Sequence, residues 1–152
     1  EKAFHLPHPL EFEKSLNFSF SGIKTAVSLL VKNQPKINKK IKSDIAATFQ
    51  SKIIEILIKR TTLAFTILKK KNYEIKDVAL VGGVAANKKI NESFKKLCNK
   101  FNYRFVFPTQ EMCGDNAAMI AWACLQRYKK NMKPDINFKA NPRWSLGKIV
   151  SL

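Results

Sequence analysis

The sequence predicts an α/β fold in which long helices surround a parallel or mixed sheet. Two short apolar runs, 77–81 and 103–107, are typical of strands, and each is followed by a segment with helical periodicity. This order within 77–130 implies a parallel strand pair joined by a right-handed crossover. The 152 residues suffice for one domain with a core, and 45% apolar residues argue against disorder.

The N-terminal region is predicted to pass from an irregular segment into a helix. Residues 1–16 contain two prolines and are expected to form an irregular lead-in. Residues 17–20 alternate polar and aromatic side chains, which favours a short strand. Residues 21–32 are expected to be a helix that ends before Pro35, because apolar residues form one stripe there: Ile23, Val27, Leu30 and Val31.

The longest periodic stretch runs from about residue 38 to residue 71. Apolar residues recur in it about every four positions, which indicates one long helix, or two helices meeting where Ser43 and Asp44 could act as a cap. The lysines at 69–71 suit a helix C-terminus, where the helix dipole is negative.

The remaining elements follow from the two apolar runs. The run 77–81 is continuous and predicts a buried strand, with a tight exit at Gly82-Gly83. Helices are expected over 85–100, with Ile90, Phe94 and Leu97 inward, and over 115–130. The loop 108–114 precedes the second of these helices. Residues 131–152 are expected to form a C-terminal tail.

Charge and cysteine content limit the class of protein. Lys and Arg number 28 against 11 Asp and Glu, a net charge of +17 that attracts polyanions such as nucleic acid. An AT-rich genome, which favours Lys, Ile and Asn, explains the same charge equally well. The three cysteines form no CxxC, which fits a reducing cytoplasm and gives no zinc signature. No apolar stretch approaches the ~20 residues of a membrane span.

Two junctions carry polar side chains beside predicted helix starts. Gly82-Gly83 would let backbone approach a ligand, the following helix N-terminus would favour phosphate, and the amide of Asn87 suits a ribose hydroxyl or an adenine edge. A plain strand-to-helix turn is the alternative. Asp115 would either cap the helix that follows it or serve as a metal or magnesium-phosphate ligand.

Other chemistry-bearing groups are less specific. The segment 18–25 has hydroxyls, a glycine and Lys24 at a predicted helix start, so it could contact phosphate or simply be a Ser-capped helix. His5 and His8 are expected to be surface histidines rather than a metal pair. Basic residues cluster on and after one helix and could follow a phosphate backbone, although a solvated face is the alternative: Lys88, Lys89, Lys95, Lys96, Lys100 and Arg104.

Four motifs in order resemble one family. They are Phe18-Ser-Phe-Ser-Gly-Ile-Lys-Thr25, Val81-Gly-Gly-Val-Ala-Ala-Asn87, Asp115-Asn-Ala-Ala-Met-Ile-Ala121 and Pro142-Arg143-Trp144. Together they resemble the TsaD (Gcp or YgjD) tRNA threonylcarbamoyladenosine transferases, formerly known as O-sialoglycoprotein endopeptidases. The resemblance covers only the C-terminal portion of such a protein, and the start at Glu1 also suggests a fragment that lacks an N-terminal domain.

The resemblance implies a fold and a reaction. The fold would be that of the actin-like ATPases (the ASKHA, ribonuclease H-like group), and residues 1–152 would supply most of the second of two domains. The enzyme would be an acyltransferase that moves the threonylcarbamoyl group of threonylcarbamoyl-AMP to N6 of adenosine 37 in tRNAs reading ANN codons. Partner proteins would be of the bacterial TsaB and TsaE type, and the location would be the cytoplasm.

The same resemblance implies roles for individual residues. The turn Gly82-Gly83, Ala86 and Asn87 would hold the adenosine part of the nucleotide, threonylcarbamoyl-AMP or ATP. Asp115 would join a histidine pair in binding one divalent metal, Fe²⁺ by preference with Zn²⁺ or Mg²⁺ as alternatives, which would polarise the carbamoyl group as a Lewis acid. Catalytic residues are not assigned.

The chain also departs from the family pattern. The histidine pair with HxxxH spacing and the glycine-rich loop of the first domain are absent, and Gly114 and Ala117 replace a commoner Thr and Gly. We therefore expect the 152 residues alone to be inactive and, with apolar surface exposed, to self-associate. A sugar-kinase-like member of the same superfamily and a non-catalytic paralogue acting as a scaffold are the alternatives.

Overall fold

The structure, a computed structural model, describes residues 3–133 together with 137, 139 and 142. The chain divides into two compact units, Glu1–Asp115 and Asn116–Leu152. Most of the predicted tail 131–152, including Arg143 and Trp144 of the fourth motif, lies outside the described residues.

The first unit begins with two helices, α1 (Ile23–Lys32) and α2 (Lys39–Lys70). The long periodic stretch is a single helix, with Ser43 and Asp44 in its interior, so they are not a cap. The cap is Asn38, whose Oδ1 accepts a hydrogen bond from the Ile41 N–H at 2.9 Å. Lys69 and Lys70 occupy the last turn, as the dipole argument predicted.

The segment before α1 differs from the prediction in two ways. Residues 17–20 form no strand, because no neighbouring strand is placed to pair with them among the described residues. The N-cap of α1 is Gly22, with φ +78° and no side-chain cap, so the Ser-capped alternative is wrong. The lead-in itself is irregular from residue 3 onward, as expected.

The sheet of the described chain consists of β1 (Asp77–Ala79) and β2 (Arg104–Val106), paired in parallel with Val78 opposite Phe105. Parallel pairing confirms the prediction, but both strands are shorter than 77–81 and 103–107. The predicted burial of 77–81 is wrong, since Val81 is 69% exposed. Strand side chains alternate between faces, and only the face with Val78 and Phe105 packs on the core.

The connection from β1 to β2 contains a 3₁₀ turn, Gly83–Ala86, and then helix α3 (Lys88–Phe101). The helix predicted over 85–100 therefore begins later, because the side chain of Asn87 caps it by accepting the Ile90 N–H. Ile90, Phe94 and Leu97 are buried, which confirms the predicted inward face.

The core joins α2, α3 and the sheet around Phe65, which is 5% exposed. The Phe65 ring meets Phe101 and Tyr103 edge to face, at centroid distances of 5.2 and 4.9 Å. Leu97 and Cys98 from α3 complete this cluster. α3 packs against α2, β2 and the 3₁₀ turn that precedes it, so this packing positions the turn.

The lead-in is held against α2 by a buried arginine. The guanidinium of Arg60 donates to the carbonyl oxygens of Glu13 and Ser15, both at 2.6 Å, and to that of Leu10. Arg60 is 4% exposed, and these carbonyls supply the hydrogen bonds that a buried cation requires. The segment leading into α1 therefore has a fixed path without regular secondary structure.

The second unit contains helix α4 (Ala117–Lys129), which has no buried residue. Its N-cap is Asn116, whose Oδ1 accepts the Met119 N–H at 2.9 Å. Ile120 and Trp122 are among its exposed apolar side chains. Among the described helices, none combines the length and apolar character needed to cross a membrane.

Candidate functional site

A groove of about 900 Å³ in the first unit brings two of the sequence motifs together. Phe20 reaches it from just before α1, and Ile23 and Lys24 from the first turn of that helix. Gly83, Val84 and Asn87 reach it from the turn before α3. Most of its wall is apolar, and its volume lies within the range of small-molecule sites. The segments 18–25 and 81–87, remote in sequence, thus share one concave surface.

The floor of the groove comes from α2, which the sequence analysis treated only as core. Ala46, Phe49, Gln50 and Ile53 line it, with Val27 of α1 and Ile90 of α3. Phe49 lies on the apolar stripe of α2 but is 41% exposed, because the groove leaves it uncovered. Helical periodicity identified the stripe; it could not show which of its positions would remain open.

The turn at the groove has a backbone that only glycine accepts readily. Gly82 has φ +84° and ψ 175°, a region that side-chain-bearing residues avoid. Its carbonyl accepts the Ala85 N–H at 2.9 Å, and the Asn91 side chain donates to the Ala85 carbonyl. Ala85 is fully buried. Space is open in front of both Gly82 and Gly83, so a ligand can approach their backbone.

The phosphate argument at this turn needs correction. The glycines lead into a four-residue 3₁₀ turn, not directly into α3. The sequence analysis expected the free N–H groups and the positive dipole end of an α-helix directly after Gly82-Gly83. The 3₁₀ turn separates the two glycines from that helix end. Of the predicted nucleotide-binding residues, Gly83 and Asn87 line the groove, whereas Gly82 and Ala86 lie in the same turn without lining it.

Asn87 has a structural role that the sequence analysis did not predict, and it also lies at the groove. Its Oδ1 accepts the Ile90 N–H at 3.2 Å and caps α3, while the residue also lines the groove. Its Nδ2 has no hydrogen-bond partner within the described part of the chain, so the amide retains two donor hydrogens for a ligand.

Two further polar side chains line the apolar wall, Lys24 and Gln50. No ion pair joins Lys24 to an acid among the described residues, so it brings an uncompensated positive charge. Such a charge suits phosphate, while the amide of Gln50 can both donate and accept. The groove therefore has an apolar wall for a flat ring system and a few polar groups able to orient it.

Asp115 lies outside the groove. The helix cap that the sequence assigned to it as one alternative belongs to Asn116 instead. The Asp115 carboxylate is exposed and has no hydrogen bond or ion pair with any described residue. It is therefore available as a ligand, and helix capping does not explain its position.

A second cluster of potential metal ligands contains His8, Glu11 and Glu55, whose ligand atoms lie within 4.8 Å of one another. The prediction that His8 is a surface histidine is wrong, because its side chain is 3% exposed and its Nδ1 lies 3.2 Å from Glu55 Oε1. His5 is exposed, as expected.

Both carboxylates of this cluster already face cations. Lys52 Nζ lies 2.9 Å from Glu55, and Lys59 Nζ lies 3.6 Å from Glu11. The hydrogen bond from Lys52, with a contribution from His8, holds the pKa of Glu55 below its usual value, although burial opposes it. Two lysines compensate two carboxylates, so the arrangement is an ion-pair network that fixes the lead-in and does not favour a divalent ion.

Arg104 does not belong to the predicted basic cluster, because its charge is paired. The guanidinium of Arg104 pairs through two bonds with the carboxylate of Asp77, its partner across the sheet, with Nη2 to Oδ2 at 2.8 Å. The hydrogen bond from Arg104 lowers the pKa of Asp77, and the carboxylate in turn raises the pKa of Arg104. Arg104 is thus an internal partner of the strand pair.

Two of the three cysteines, Cys98 and Cys113, are buried and therefore not placed for nucleophilic chemistry. Cys98 is buried in the core, and this burial raises the pKa of its thiol, which keeps it protonated at neutral pH. Cys113 is buried, and its thiol donates to the Thr109 carbonyl oxygen at 3.4 Å. Cys124 is exposed on α4.

Comparison with known proteins gives one family. Residues 1–122 match the sequence model of TsaD, described as tRNA N6-adenosine threonylcarbamoyltransferase. Proteins of that name match the chain in Rickettsia massiliae (39% identical over 148 residues, 96% of this chain and 43% of that protein) and in Pelagibacter ubique (42% over 144 residues, 94% and 40%). The Thermosipho africanus protein is 43% identical over 142 residues, 93% of this chain and 41% of that protein.

These matches cover nearly all of the chain but less than half of each relative. The match includes the two motifs that meet in the groove, as well as Asp115, all within residues 1–122. On this ground the chain belongs to the TsaD family of tRNA N6-adenosine threonylcarbamoyltransferases.

Proposed function

We propose that this chain is the C-terminal portion of an acyltransferase that modifies N6 of adenosine 37 in tRNAs reading ANN codons. In the reaction, the N6 amine forms a bond to the carbamoyl carbon of threonylcarbamoyl-AMP. The bond from that carbon to the phosphate oxygen breaks, AMP leaves, and N6 loses a proton. The matched family and the relatives' shared name support this assignment.

The part of this chain in the reaction is to hold the adenosine moiety of the nucleotide. The groove formed by residues 18–25, α2 and residues 81–87 is the observation that carries the proposal. Its apolar wall buries a purine, the Asn87 Nδ2 donates to the ribose or base, and Lys24 offsets phosphate charge. Holding the adenylate in one pose lowers the entropic cost of bringing its carbamoyl carbon to the amine.

A divalent metal, Fe²⁺ by preference with Zn²⁺ or Mg²⁺ as alternatives, is part of the proposal. The exposed, unpartnered carboxylate of Asp115 has the donor chemistry of a metal ligand, whereas the His8, Glu11 and Glu55 network is already compensated by lysines. When bound, the ion would supply Lewis-acid polarisation of the carbamoyl oxygen. One carboxylate does not hold such an ion alone, so further ligands would come from the rest of the enzyme.

The same proposal extends to the whole enzyme. The α/β unit would form most of the second domain of an actin-like ATPase fold, and an N-terminal domain would complete the cleft. TsaB-like and TsaE-like proteins would be its partners in the cytoplasm. The chain matches 40–43% of the length of its relatives, so we expect the isolated 152 residues to give no tRNA product.

The groove assignment can be tested by calorimetric titration of the chain with ATP and AMP. Asn87→Asp keeps an oxygen to cap α3 but removes the Nδ2 donor, and Lys24→Met removes the cation. We expect Lys24→Met to weaken ATP binding about 10-fold or more, since a hydrogen bond to a charged group contributes about 1.5–3 kcal/mol. Asn87→Asp should weaken it about 2- to 10-fold, since a neutral hydrogen bond contributes about 0.5–1.5 kcal/mol. Lys32→Met, in the last turn of the same helix but outside the groove, is the matched control. If Lys24→Met and Lys32→Met weaken ATP binding equally, the groove is not the nucleotide-binding site.

The role of Asp115 requires the full-length protein. Transfer is measured with tRNA, threonine, bicarbonate, ATP and the partner proteins, comparing Asp115→Ala with Glu111→Ala, an exposed acid nearby. For Asp115→Ala we expect product to fall by more than the roughly 10–100-fold that loss of a residue supporting a metal ligand costs. Full activity of that variant would exclude the ligand role. An inactive wild-type protein would favour the scaffold or kinase-like alternative.

A further inference from the structure

Helix α3 carries a continuous basic face. Ile90, Phe94, Leu97 and Cys98 are buried, and exposed lysines occupy the opposite side. Glu92 is the only acidic residue of the helix, so the face is strongly positive. These lysines are Lys88, Lys89, Lys95, Lys96 and Lys100.

Four lysines of this face, Lys88, Lys95, Lys96 and Lys100, form no ion pair with an acid among the described residues. The ion pairs described join Lys52, Lys59 and Arg104 to acids elsewhere. Glu92 lies one turn from Lys88, Lys95 and Lys96, so it can offset at most one charge among them. The repulsion that remains is tolerated by the fold, which indicates a surface suited to an anionic partner.

The geometry of the face suits a phosphate backbone. α3 spans 14 residues, about 21 Å, with Lys88 and Lys95 separated by about 10.5 Å along the axis and Lys96 and Lys100 by about 6 Å. Lysine ammonium groups are mobile point charges that contact phosphates without reading bases. A row of this kind binds a polyanion along its length and discriminates little by sequence.

A nucleic acid fits the face better than an anionic membrane does. A helix that binds a membrane interface exposes an apolar face to the acyl chains beside its cations. In α3 the apolar residues Ile90, Phe94 and Leu97 are instead buried in the core of the first unit. The face can therefore offer charge, but it cannot insert.

The position of α3 links this face to the groove. Asn87 both caps the helix and lines the groove, so the lysine face begins where the groove ends. We propose that the α3 lysines, with Lys95, Lys96 and Lys100 at their centre, bind the phosphate backbone of the tRNA beside the groove. This inference rests on the proposed function, because that function makes tRNA the polyanion.

The test compares two triple variants with the same loss of charge. Lys95/Lys96/Lys100→Ala removes the centre of the face, and Lys69/Lys70/Lys71→Ala removes the exposed lysines at the end of α2. Binding of an unmodified tRNA transcript that reads an ANN codon is measured by fluorescence anisotropy at several salt concentrations. Alanine favours exposed helix positions, so we expect both variants to fold, which circular dichroism checks.

We expect the face variant to bind tRNA about tenfold or more weakly at low salt. The slope of log affinity against log salt concentration should fall by about 0.7–0.9 for each phosphate that is no longer neutralised. The α2 variant should stay within about twofold of wild type, as electrostatic contacts act locally. Lys95/Lys96/Lys100→Arg should retain binding. Equal weakening in both alanine variants would show attraction by net charge and would overturn the proposal, as would unchanged binding in both.

Two further measurements distinguish tRNA binding by the lysine face from a defect in nucleotide binding and from binding to an anionic membrane. ATP titration of the face variant should match wild type, so failure of the groove to bind nucleotide and failure of the face to bind tRNA are distinct results. Phosphatidylserine vesicles provide the membrane probe. Vesicle binding that depends on the face, with tRNA binding unchanged, would overturn the proposal in favour of a lipid surface.

Discussion

Asn87 shows how one side chain can serve the fold and a site together. Its oxygen caps α3 and its nitrogen is left for the groove, so the structural and ligand interpretations of this residue do not exclude each other. Asp115 shows the opposite case, because the cap belongs to its neighbour Asn116. At both positions, the atoms already used in the hydrogen bond that caps the helix determine which atoms remain free to bind a ligand; the residue type alone does not.

Gly82 is expected to be sensitive to any side chain, whereas its neighbour is not. With φ +84° and ψ 175°, Gly82→Ala should destabilise the chain by about 1–3 kcal/mol through backbone strain alone, since nothing lies within 4 Å of the added Cβ. Gly83→Ala, which also meets open space but lacks the positive φ, is the control. Urea unfolding measures both, and equal stability of the two variants would contradict the strain.

The stability of the lead-in should decrease at low pH, because the carboxylate of Glu55 becomes protonated there. Because the pKa of Glu55 is lowered in the folded chain, its contribution is complete above the pKa of the unfolded state and is lost as the pH falls through the folded value. The carboxylate is 45% exposed, so solvent screening limits the effect to about 1 kcal/mol or less.

This dependence is measured by urea unfolding at neutral pH and at pH values below the usual pKa of a glutamate. Wild type should lose more stability than Glu55→Gln on acidification, since the glutamine cannot titrate. An equal loss in the two proteins would assign the acid sensitivity to other carboxylates, among them Asp77, whose pKa is also lowered.

At the scale of elements, packing of α3 on α2 and the sheet decides where the site can form. Phe65 is the centre of that packing, with two edge-to-face aromatic partners. We expect Phe65→Ala to cost about 3–5 kcal/mol through reduced burial and the cavity left behind. Phe12→Ala, at a position 93% exposed, should change stability by less than about 0.5 kcal/mol.

Thermal and urea unfolding compare these two phenylalanines, and nucleotide titration of Phe65→Ala extends the test to the groove. Because α3 carries Asn87 at its start, loosening the helix should weaken ATP binding although Phe65 does not line the groove. Binding at wild-type strength in a destabilised Phe65→Ala chain would mean that the turn keeps its shape without this packing.

At the scale of the whole molecule, the chain exposes apolar surface that a folded protein of this size normally covers. One face of the two-stranded sheet is open, and α4 exposes large apolar side chains. Parallel sheets are usually covered on both faces, and contiguous apolar patches favour association. We expect the isolated chain to self-associate with rising concentration in sedimentation velocity runs.

The double variant Ile120→Ser with Trp122→Ser should reduce this self-association, because both side chains are 63% exposed on α4. Tyr73→Ser, at a position 62% exposed outside any helix, serves as the control. A chain that stays monomeric at all concentrations would refute the expectation. If the double variant and Tyr73→Ser change self-association equally, the apolar side chains of α4 are not its cause.

The sequence by itself determined the α/β class, the single long helix as one of its two alternatives, the parallel strand pair and the inward face of α3. These follow from local periodicity, which reports how apolar residues are distributed along one element. The resemblance carried by the four motifs also anticipated the family that the comparisons give.

Only the tertiary structure decided which motifs share a surface. The groove needs Phe49 and Gln50 of α2, the pairing of Arg104 removes it from the basic cluster, and His8 contacts Glu55, 47 residues away. Contacts of this kind join residues from different elements. The periodicity of a residue within its own element does not show whether its side chain will face the core, an ion-pair partner or an open groove. Packing of the elements against one another decides which of these it faces.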